Sequence, residues 1–368
     1  MAEYKSLNLQ EITHLTNHLQ EQILESPAVI NQSALNELGF NVLTGVEFKD
    51  TQFIMLRKGG TTRPYVNGGD PIKSEIGKLI DRELVVKTAW NRVVDNIQNY
   101  REKEPYHVDA ESFSGLPNST EQIKSISTEF AEDVFAGLFY GEYNIGGNTH
   151  MALYDGIWTI IHKKIVDDWT TNAETGLLEK DPSGKYTLIS GHKSELDLNK
   201  QIIPTGAFVD FVSDEDKSTN WNSFLAFVNN LPTKLRKAAE GVVVYCSDAT
   251  KSRIVDSFCR TYPALTPQTV GELSVGFMNL PKVTLVSHPV LGEGSMLLAT
   301  TKGNFDFGID SLNNTNKILT GVMESDFNNV IFQIQSSQGT RVRYFDPAHL
   351  AWNGLVNTPD TTLVGDYQ

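Results

Sequence analysis

Cysteine is scarce in this chain of 368 residues, which contains only Cys246 and Cys259. Two cysteines cannot form a disulfide framework, and the spacing between them fits no zinc-binding pattern. Both lie in apolar surroundings, which is typical of thiols that pack in a core. We therefore expect two free, packed cysteines and a protein kept in a reducing compartment.

Long apolar runs and a targeting signal are also missing. No apolar stretch approaches the roughly 18 residues of a membrane span. The first 15 residues lack the basic and apolar regions of a signal peptide. The sequence therefore predicts no membrane partner, and we expect synthesis in the cytoplasm.

Basic residues are too few for a protein that grips nucleic acid. Lys and Arg number 31 against 45 Asp and Glu, and the formal net charge is −14 at pH 7. Nonspecific binding of DNA requires clustered Lys and Arg that neutralise phosphates. The short basic cluster at 234–237 is typical of a solvated helix face, so tight DNA binding is not expected.

Linear catalytic motifs are absent as well. The chain has no G-x-S-x-G elbow, no G-x-x-x-x-G-K-[ST] phosphate loop and no cysteine–histidine signature. Asp306-Phe307-Gly308 matches the metal-binding tripeptide of protein kinases, but the other kinase motifs are missing. Phe305, Phe307 and Ile309 alternate with polar residues, which predicts a half-buried strand. We expect neither a catalytic residue nor a cofactor.

One pair of histidines has a spacing that could chelate a metal. His14 and His18 lie four residues apart on a helix predicted over 7–25. A zinc protease would require glutamate after His14, where Leu15 stands, and no third ligand lies nearby. The pair is expected to flank the apolar face of the helix, and no metal site is predicted.

The order of helical and strand patterns predicts an α+β chain. Residues of about 50–90, which include most of the strand-like runs at 46–58 and 83–90, are predicted to form a long extended excursion that has no core of its own. Helices are expected at 119–140, 150–169, 220–238 (with a break near Pro232) and 249–262. Strands are expected at 241–247, 282–290, 295–301 and 304–310, followed by two short strands joined through Gly339, at 329–337 and 341–347.

The region from 220 to 310 resembles the C-terminal half of the major capsid proteins of tailed bacteriophages, which have the Hong Kong 97-type fold. It is most similar to those of phages from gut Bacteroidetes. The shared feature is a strand ending in Ala-Thr, a turn to an asparagine, and an F-G-x-D strand. The residues that match are Thr300, Asn304, Phe307, Gly308 and Asp310.

The resemblance implies a division of the chain. Residues 119–140 would form the long spine helix within the peripheral (P) domain, and the axial (A) domain would be inserted in that domain. The implied parts are an N-arm at 1–45, an extended E-loop at 46–94, the P domain at 95–205, the A domain at 206–294 and a return to the P domain at 295–368.

The same resemblance implies a structural protein without enzymatic activity. It would self-assemble as hexamers and pentamers into the icosahedral head shell of a virion, after synthesis in the cytoplasm of the bacterial host. Portal, scaffold or decoration proteins would be its partners. Packaged double-stranded DNA would be met only by nonspecific proximity.

Aromatic, Met and Arg side chains are enriched at protein interfaces. On the excursion, this enrichment selects five candidates for intersubunit contact: Phe53, Met55, Arg57, Arg63 and Tyr65. Two other functions stay open at this point. One is a cytoplasmic acidic enzyme whose site is built from scattered residues, and the other is a shell-forming nanocompartment protein.

Overall fold

A computed structural model describes residues 32–57, 77–96, 117–147, 149–172, 177–210, 218–271, 273–310, 319–323 and 326–359. The predicted N-terminal helix, with His14 and His18, lies outside these residues. The helices in the described part are α1 Gln32–Glu37, α2 Pro117–Tyr140, α3 Ile157–Asp168, α4 Leu198–Gln201, α5 Thr219–Asn230, α6 Thr233–Arg236 and α7 Asp248–Thr261.

The strands come mostly in runs between these helices, as expected for an α+β chain. They are β1 Asn41–Thr44, β2 Lys49–Arg57, β3 Gly77–Val85, β4 Lys87–Asn96, β5 Val242–Cys246, β6 Gln268–Thr269, β7 Ser274–Phe277, β8 Leu280–Ser287, β9 Leu298–Thr301, β10 Phe305–Ile309, β11 Leu319–Met323, β12 Asp326–Val342 and β13 Leu350–Trp352.

The first sheet has the order β1-β10-β12-β11, and β4 pairs with β12 outside this path. The prediction of two short strands joined through Gly339 is wrong, because β12 runs unbroken for 17 residues. Gly339 is not a turn but a paired strand residue opposite Gly308 of β10. A glycine inside a strand often marks the close approach of another backbone, and that is its role here.

The second sheet has the order β13-β9-β5-β8-β7-β6. All five residues of β5 are buried, as predicted for this run. Val242, Val244 and Cys246 face one hydrophobic cluster, while Val243 and Tyr245 face the other. Helices α5 and α7 cover the first of these faces, and the break predicted near Pro232 separates α5 from α6.

The larger cluster lies between the two sheets and contains side chains of α2 and α3. Phe130, Val134 and Leu138 are at most 2% exposed, which confirms the described part of the apolar stripe predicted for α2. None of the helices in the described ranges combines the length and apolarity needed to cross a membrane.

The helix predicted over 150–169 is too long, because α3 begins only at Ile157. A Cβ on Gly156 would lie 2.4 Å from the carbonyl carbon of Phe139, so the chain here presses backbone to backbone against the end of α2. The Gly156 amide donates to the carbonyl of Gly141 at 2.8 Å. This contact fixes the entry into α3, and only a short 3-10 turn, His150–Ala152, precedes it.

Candidate intersubunit hairpin and its anchor

Strands β2 and β3 form a two-stranded antiparallel sheet, called the hairpin below. Its pleat sorts side chains onto an inner face toward the first sheet and an outer face toward solvent. On the inner face, Ile54 and Leu84 are 4% and 0% exposed. On the outer face, Phe53, Met55 and Leu79 are 63%, 51% and 56% exposed. The outer face therefore carries apolar area that the subunit itself leaves uncovered.

The structure places two of the five predicted contact residues, Phe53 and Met55, side by side on the outer face. Arg57 ends β2, and nothing is described of its side chain; Arg63 and Tyr65 lie outside the described residues. Sequence reasoning missed Leu79, which pairs directly with Met55. Only the register between β2 and β3 places Leu79 beside Met55, so the sequence of either strand alone could not identify it.

The hairpin base rests on a pair of glycines in the first sheet. An ideal Cβ on Gly308 would lie 2.3 Å from Cδ2 of Leu84, and one on Gly339 would lie 2.3 Å from the carbonyl oxygen of Val85. At Gly339 the obstacle is backbone, so no side chain fits there unless the hairpin moves away, whereas at Gly308 the side chain of Leu84 would have to move. The paired glycines therefore form a flat seat for β3.

Beside this seat lies Asp306, whose side chain is 0% exposed. Arg341 donates to its Oδ2 through Nε at 2.8 Å and Nη2 at 2.6 Å. Arg343 reaches its Oδ1 through Nε at 2.7 Å and Nη2 at 2.6 Å, and Asn41 adds a bond from Nδ2 at 3.1 Å. Charge-assisted bonds of this kind satisfy a carboxylate that burial would otherwise make costly.

The prediction that β10 is half-buried is therefore wrong, although its alternation is right. Phe305 and Phe307 face the core, while Asp306 and Gly308 face the other way. The second face is buried too, because the hairpin base covers it. Since two arginines occupy both oxygens of Asp306, this carboxylate has no position left for a metal or a substrate proton.

Two further ion pairs hold the hairpin, and the first of them includes a residue of this centre. Arg341 Nη1 lies 3.0 Å from Oδ2 of Asp50 on β2. Arg82 on β3 pairs with Glu195 and donates from Nε to the carbonyl of Arg343 at 2.9 Å. The network therefore contains three arginines and three carboxylates, from parts of the chain that are distant in sequence.

Two residues on which the family resemblance rests, Thr300 and Asn304, form hydrogen bonds within the fold. Asn304, 2% exposed, donates from Nδ2 to Oγ1 of Thr300 and to the carbonyl of Tyr344, both at 3.0 Å, and accepts from the Tyr344 amide at 2.8 Å. Thr300 Oγ1 donates to the carbonyl of His349 at 2.9 Å. These hydrogen bonds connect the turn between β9 and β10, where Gly303 has φ +78°, to the residues that follow β12.

The cysteines pack as predicted. Cys246 is buried and Cys259 is partly buried, and neither is in a disulfide. Burial raises the pKa of the Cys246 thiol far above its ordinary range, because a thiolate would be desolvated there. Within the described ranges, no three His, Cys, Asp or Glu side chains are grouped so that they could hold a metal ion.

Comparison with known proteins gives structural likeness only. No family model matches the sequence, and no curated protein matches it. The capsid of a native GTA particle is 12% identical and covers 89% of this chain and 89% of its own, with a TM-score of 0.50. The satellite phage P4 procapsid with its size determination protein Sid is 13% identical, with 94% and 97% covered and a TM-score of 0.47.

A third structure, the capsid of Myoviridae phage XM1, is 10% identical, with 88% and 92% covered and a TM-score of 0.46. At 12% identity, the likeness to the GTA capsid shows a shared fold alone, and function has to be argued from surfaces and sites. The coverage of the GTA capsid shows that the likeness spans nearly the whole chain. The chain therefore has a mixed helix-and-sheet fold of the Hong Kong 97 capsid-protein type.

Proposed function

We propose that this chain is the major capsid protein of a tailed bacteriophage, a structural subunit that self-assembles into an icosahedral shell around double-stranded DNA. The observation that carries the proposal is the hairpin, whose outer face leaves Phe53, Met55 and Leu79 half exposed or more. Such a cluster of apolar side chains on a projecting element is typical of a surface that another protein covers. The capsid-type fold supplies the context, as a fold-level analogy.

In this proposal, the hairpin is the E-loop of 46–94, and α2 is the spine helix of a P domain at 95–205. Residues 1–45 are the N-arm, 206–294 the inserted A domain and 295–368 the return to the P domain. Strands β9 and β13 join the sheet that β5 begins, so the proposed A domain and the returning chain share one sheet. The spacing of Thr300, Asn304 and Gly308 supports an origin in a phage of Bacteroidetes.

The partner of the outer face is a second copy of the chain. Rings of five or six copies are closed by head-to-tail contacts, in which a projecting element of one subunit meets a different surface of the next. Phe53, Met55 and Leu79 supply apolar area to that contact. Arg57, Arg63 and Tyr65 are proposed to extend it, since Arg and Tyr are enriched in interfaces.

The net charge of −14 suits a shell that encloses DNA without binding it tightly. Phosphate groups and an acidic subunit repel one another, so packaged DNA stays free to slide. Portal, scaffold and decoration proteins are the further partners, and the subunit is made in the host cytoplasm before it enters the virion. Tight, salt-sensitive DNA binding by purified subunits would contradict this part of the proposal.

The direct test is electron microscopy of the purified full chain over a range of protein concentrations, with and without a crowding agent. We expect rings or closed icosahedral particles. Such particles would exclude a simple enzyme with a site built from scattered residues. Native particles that hold enzymes in place of DNA would identify a nanocompartment.

A pair of variants tests the hairpin. Changing Phe53 and Met55 to Ser removes apolar area from the outer face, where neither side chain packs in the core of the subunit. We expect folded, soluble subunits that form no particles. Thr51→Ala, on the same face of the same strand, is the matched control and should assemble normally. Normal particles from the double variant would remove the hairpin from the interface.

A further inference from the structure

We propose that the direction of the hairpin is set by a crossed pair of ionic contacts, Asp50–Arg341 and Arg82–Glu195, called the clasp below, and that hairpin direction therefore depends on ionic strength. Its consequence for assembly rests on the function proposed above. The clasp itself is a property of the single subunit and can be measured there.

Apolar packing at the hairpin base is slight. Among the described residues, the buried cluster there contains Val46, Leu84 and Val86, with Leu43 partly buried against it, and is separate from the two main clusters. Hydrophobic stabilisation grows with buried apolar area and has no direction of its own. These three side chains therefore stabilise the attachment of the hairpin to the first sheet. They do little to determine the angle between the hairpin and that sheet.

The joint between hairpin and sheet has room for a change of angle. Gly45 has φ +83°, and no atom lies within 4 Å of the position where its Cβ would be. On the other side, only Val86 separates β3 from β4. An open cleft of about 520 Å³, lined by residues 43–50, lies at this elbow. The backbone connection therefore leaves the angle to be set by other contacts.

The clasp supplies direction because its two contacts have opposite polarity. Strand β2 presents a carboxylate, Asp50, to an arginine of the sheet, and β3 presents an arginine, Arg82, to the carboxylate of Glu195. Asp50 and Arg82 both lie on the inner face, on different strands. A tilt of the hairpin to either side separates at least one pair, and an exchange of the pairs would bring like charges together.

Arg341 is held in position for this task. Asp306 fixes two of its guanidinium nitrogens, which leaves Nη1 pointing at the hairpin. Nη1 lies 3.0 Å from Oδ2 of Asp50 and 3.3 Å from the carbonyl oxygen of Arg82, so it contacts both strands. Asp306 is thus a positioning residue that acts on the hairpin through Arg341.

The side chains of the network differ in their exposure to solvent, and therefore in how strongly dissolved ions screen their charges. Asp306 and Arg341 are 0% and 3% exposed, whereas Asp50 is 45% exposed, and Arg82 and Glu195, at 14% and 22%, lie between these extremes. Ions in solution screen exposed pairs strongly and buried pairs little. Raising the salt concentration should therefore weaken the clasp while the Asp306 centre and the fold persist.

The experiment measures hairpin direction as a distance distribution between two spin labels in the full chain. Thr51→Cys on the outer face and Asp167→Cys on α3 carry the labels, since both native side chains are exposed. Cys259→Ser removes the more accessible native thiol, and buried Cys246 stays unlabelled. We expect a narrow distribution at 0.1 M salt that broadens by roughly two-fold at 1 M, where the Debye length falls from about 10 Å to about 3 Å.

Charge reversal then identifies the contact. Arg82→Glu and Glu195→Arg should each broaden the distribution at low salt, and the double variant should give a narrower one than either single variant. Glu83→Gln is the matched control, because it breaks the Lys49–Glu83 pair (2.5 Å), which joins the two strands of the hairpin to each other and not to the sheet. It should leave the distribution unchanged.

Several results would overturn the clasp. They are a distribution that stays narrow in the single variants, one that is insensitive to salt, or a double variant as broad as the singles. Because the labels report on isolated subunits, these outcomes are independent of particle formation. The expected distances in subunits that form no particles would leave the clasp standing, and particles from a subunit without a clasp would refute the clasp and leave the proposed function standing.

Discussion

Replacing Asp306 with Asn tests the centre of the network with almost no change in volume. Asn has one oxygen where Asp306 has two, and it carries no charge, so Arg341 and Arg343 lose their common carboxylate. Arg341 is 3% exposed and cannot recover its hydration, while Arg343, at 24%, recovers part of it. The penalty therefore falls mainly on Arg341.

The magnitude follows from the burial of the pair. Removing one partner from a buried ion pair costs about 3–5 kcal/mol in free energy of unfolding. Asp50 still pairs with Arg341 at 3.0 Å, which places our expectation near the lower end, about 3 kcal/mol. Because Asp306 lies in the first sheet, its replacement should destabilise the second sheet less. One face of the second sheet packs in a hydrophobic cluster of its own, together with α5 and α7.

The assay is urea denaturation followed by circular dichroism, with hydrogen exchange to assign the loss to β10 and β12. Asp167→Asn is the control: this residue is exposed on α3, and its substitution should change stability by less than about 0.5 kcal/mol. If Asp306→Asn cost less than about 1 kcal/mol, or if the loss of protection appeared in the second sheet, the reasoning from the buried carboxylate would fail.

Two further predictions concern other parts of the fold. Gly339→Ala should destabilise the protein by about 1–3 kcal/mol, since its Cβ would lie 2.3 Å from the Val85 carbonyl oxygen and backbone must shift; unchanged urea midpoints would show that the hairpin does not rest there. Burial lowers the pKa of His288, with Asp248 opposing weakly, so the unfolded state binds more protons near pH 6 and stability should fall as the pH drops below about 6.5. His288→Asn should reduce this pH dependence between pH 7.5 and 5.5, and an equal loss in both proteins would contradict the assignment.

Local pattern was sufficient for the long elements. The described part of the α2 stripe, the buried run of β5 and the break before α6 all follow from short-range spacing of apolar residues and from one proline, and all three are as predicted. These features depend on neighbours within a few residues, which is the range over which periodicity carries information. The predicted start of α3 is wrong because the position of Gly156 depends on close contact with the backbone of α2, which local periodicity does not reveal.

The candidate site was only half visible in the sequence. Phe53 and Met55 could be selected as contact residues by residue type, and the structure puts both on the outer face. Leu79 was missed because its place beside Met55 depends on the register of β2 and β3 across an intervening segment. Arg82 and Glu195, one of the two pairs of the proposed clasp, have no mutual sequence signal, since 113 positions separate them.

Strand β10 shows which features follow from local sequence and which depend on tertiary structure. The pleat of a strand has a period of two whatever surrounds it, so the sequence alone places Phe305 and Phe307 on one face and Asp306 on the other. Whether that second face meets water depends on residues that are distant in the chain. Burying a carboxylate is favourable only with positive partners in place, and Arg341, Arg343 and the covering hairpin arrive from distant parts of the chain.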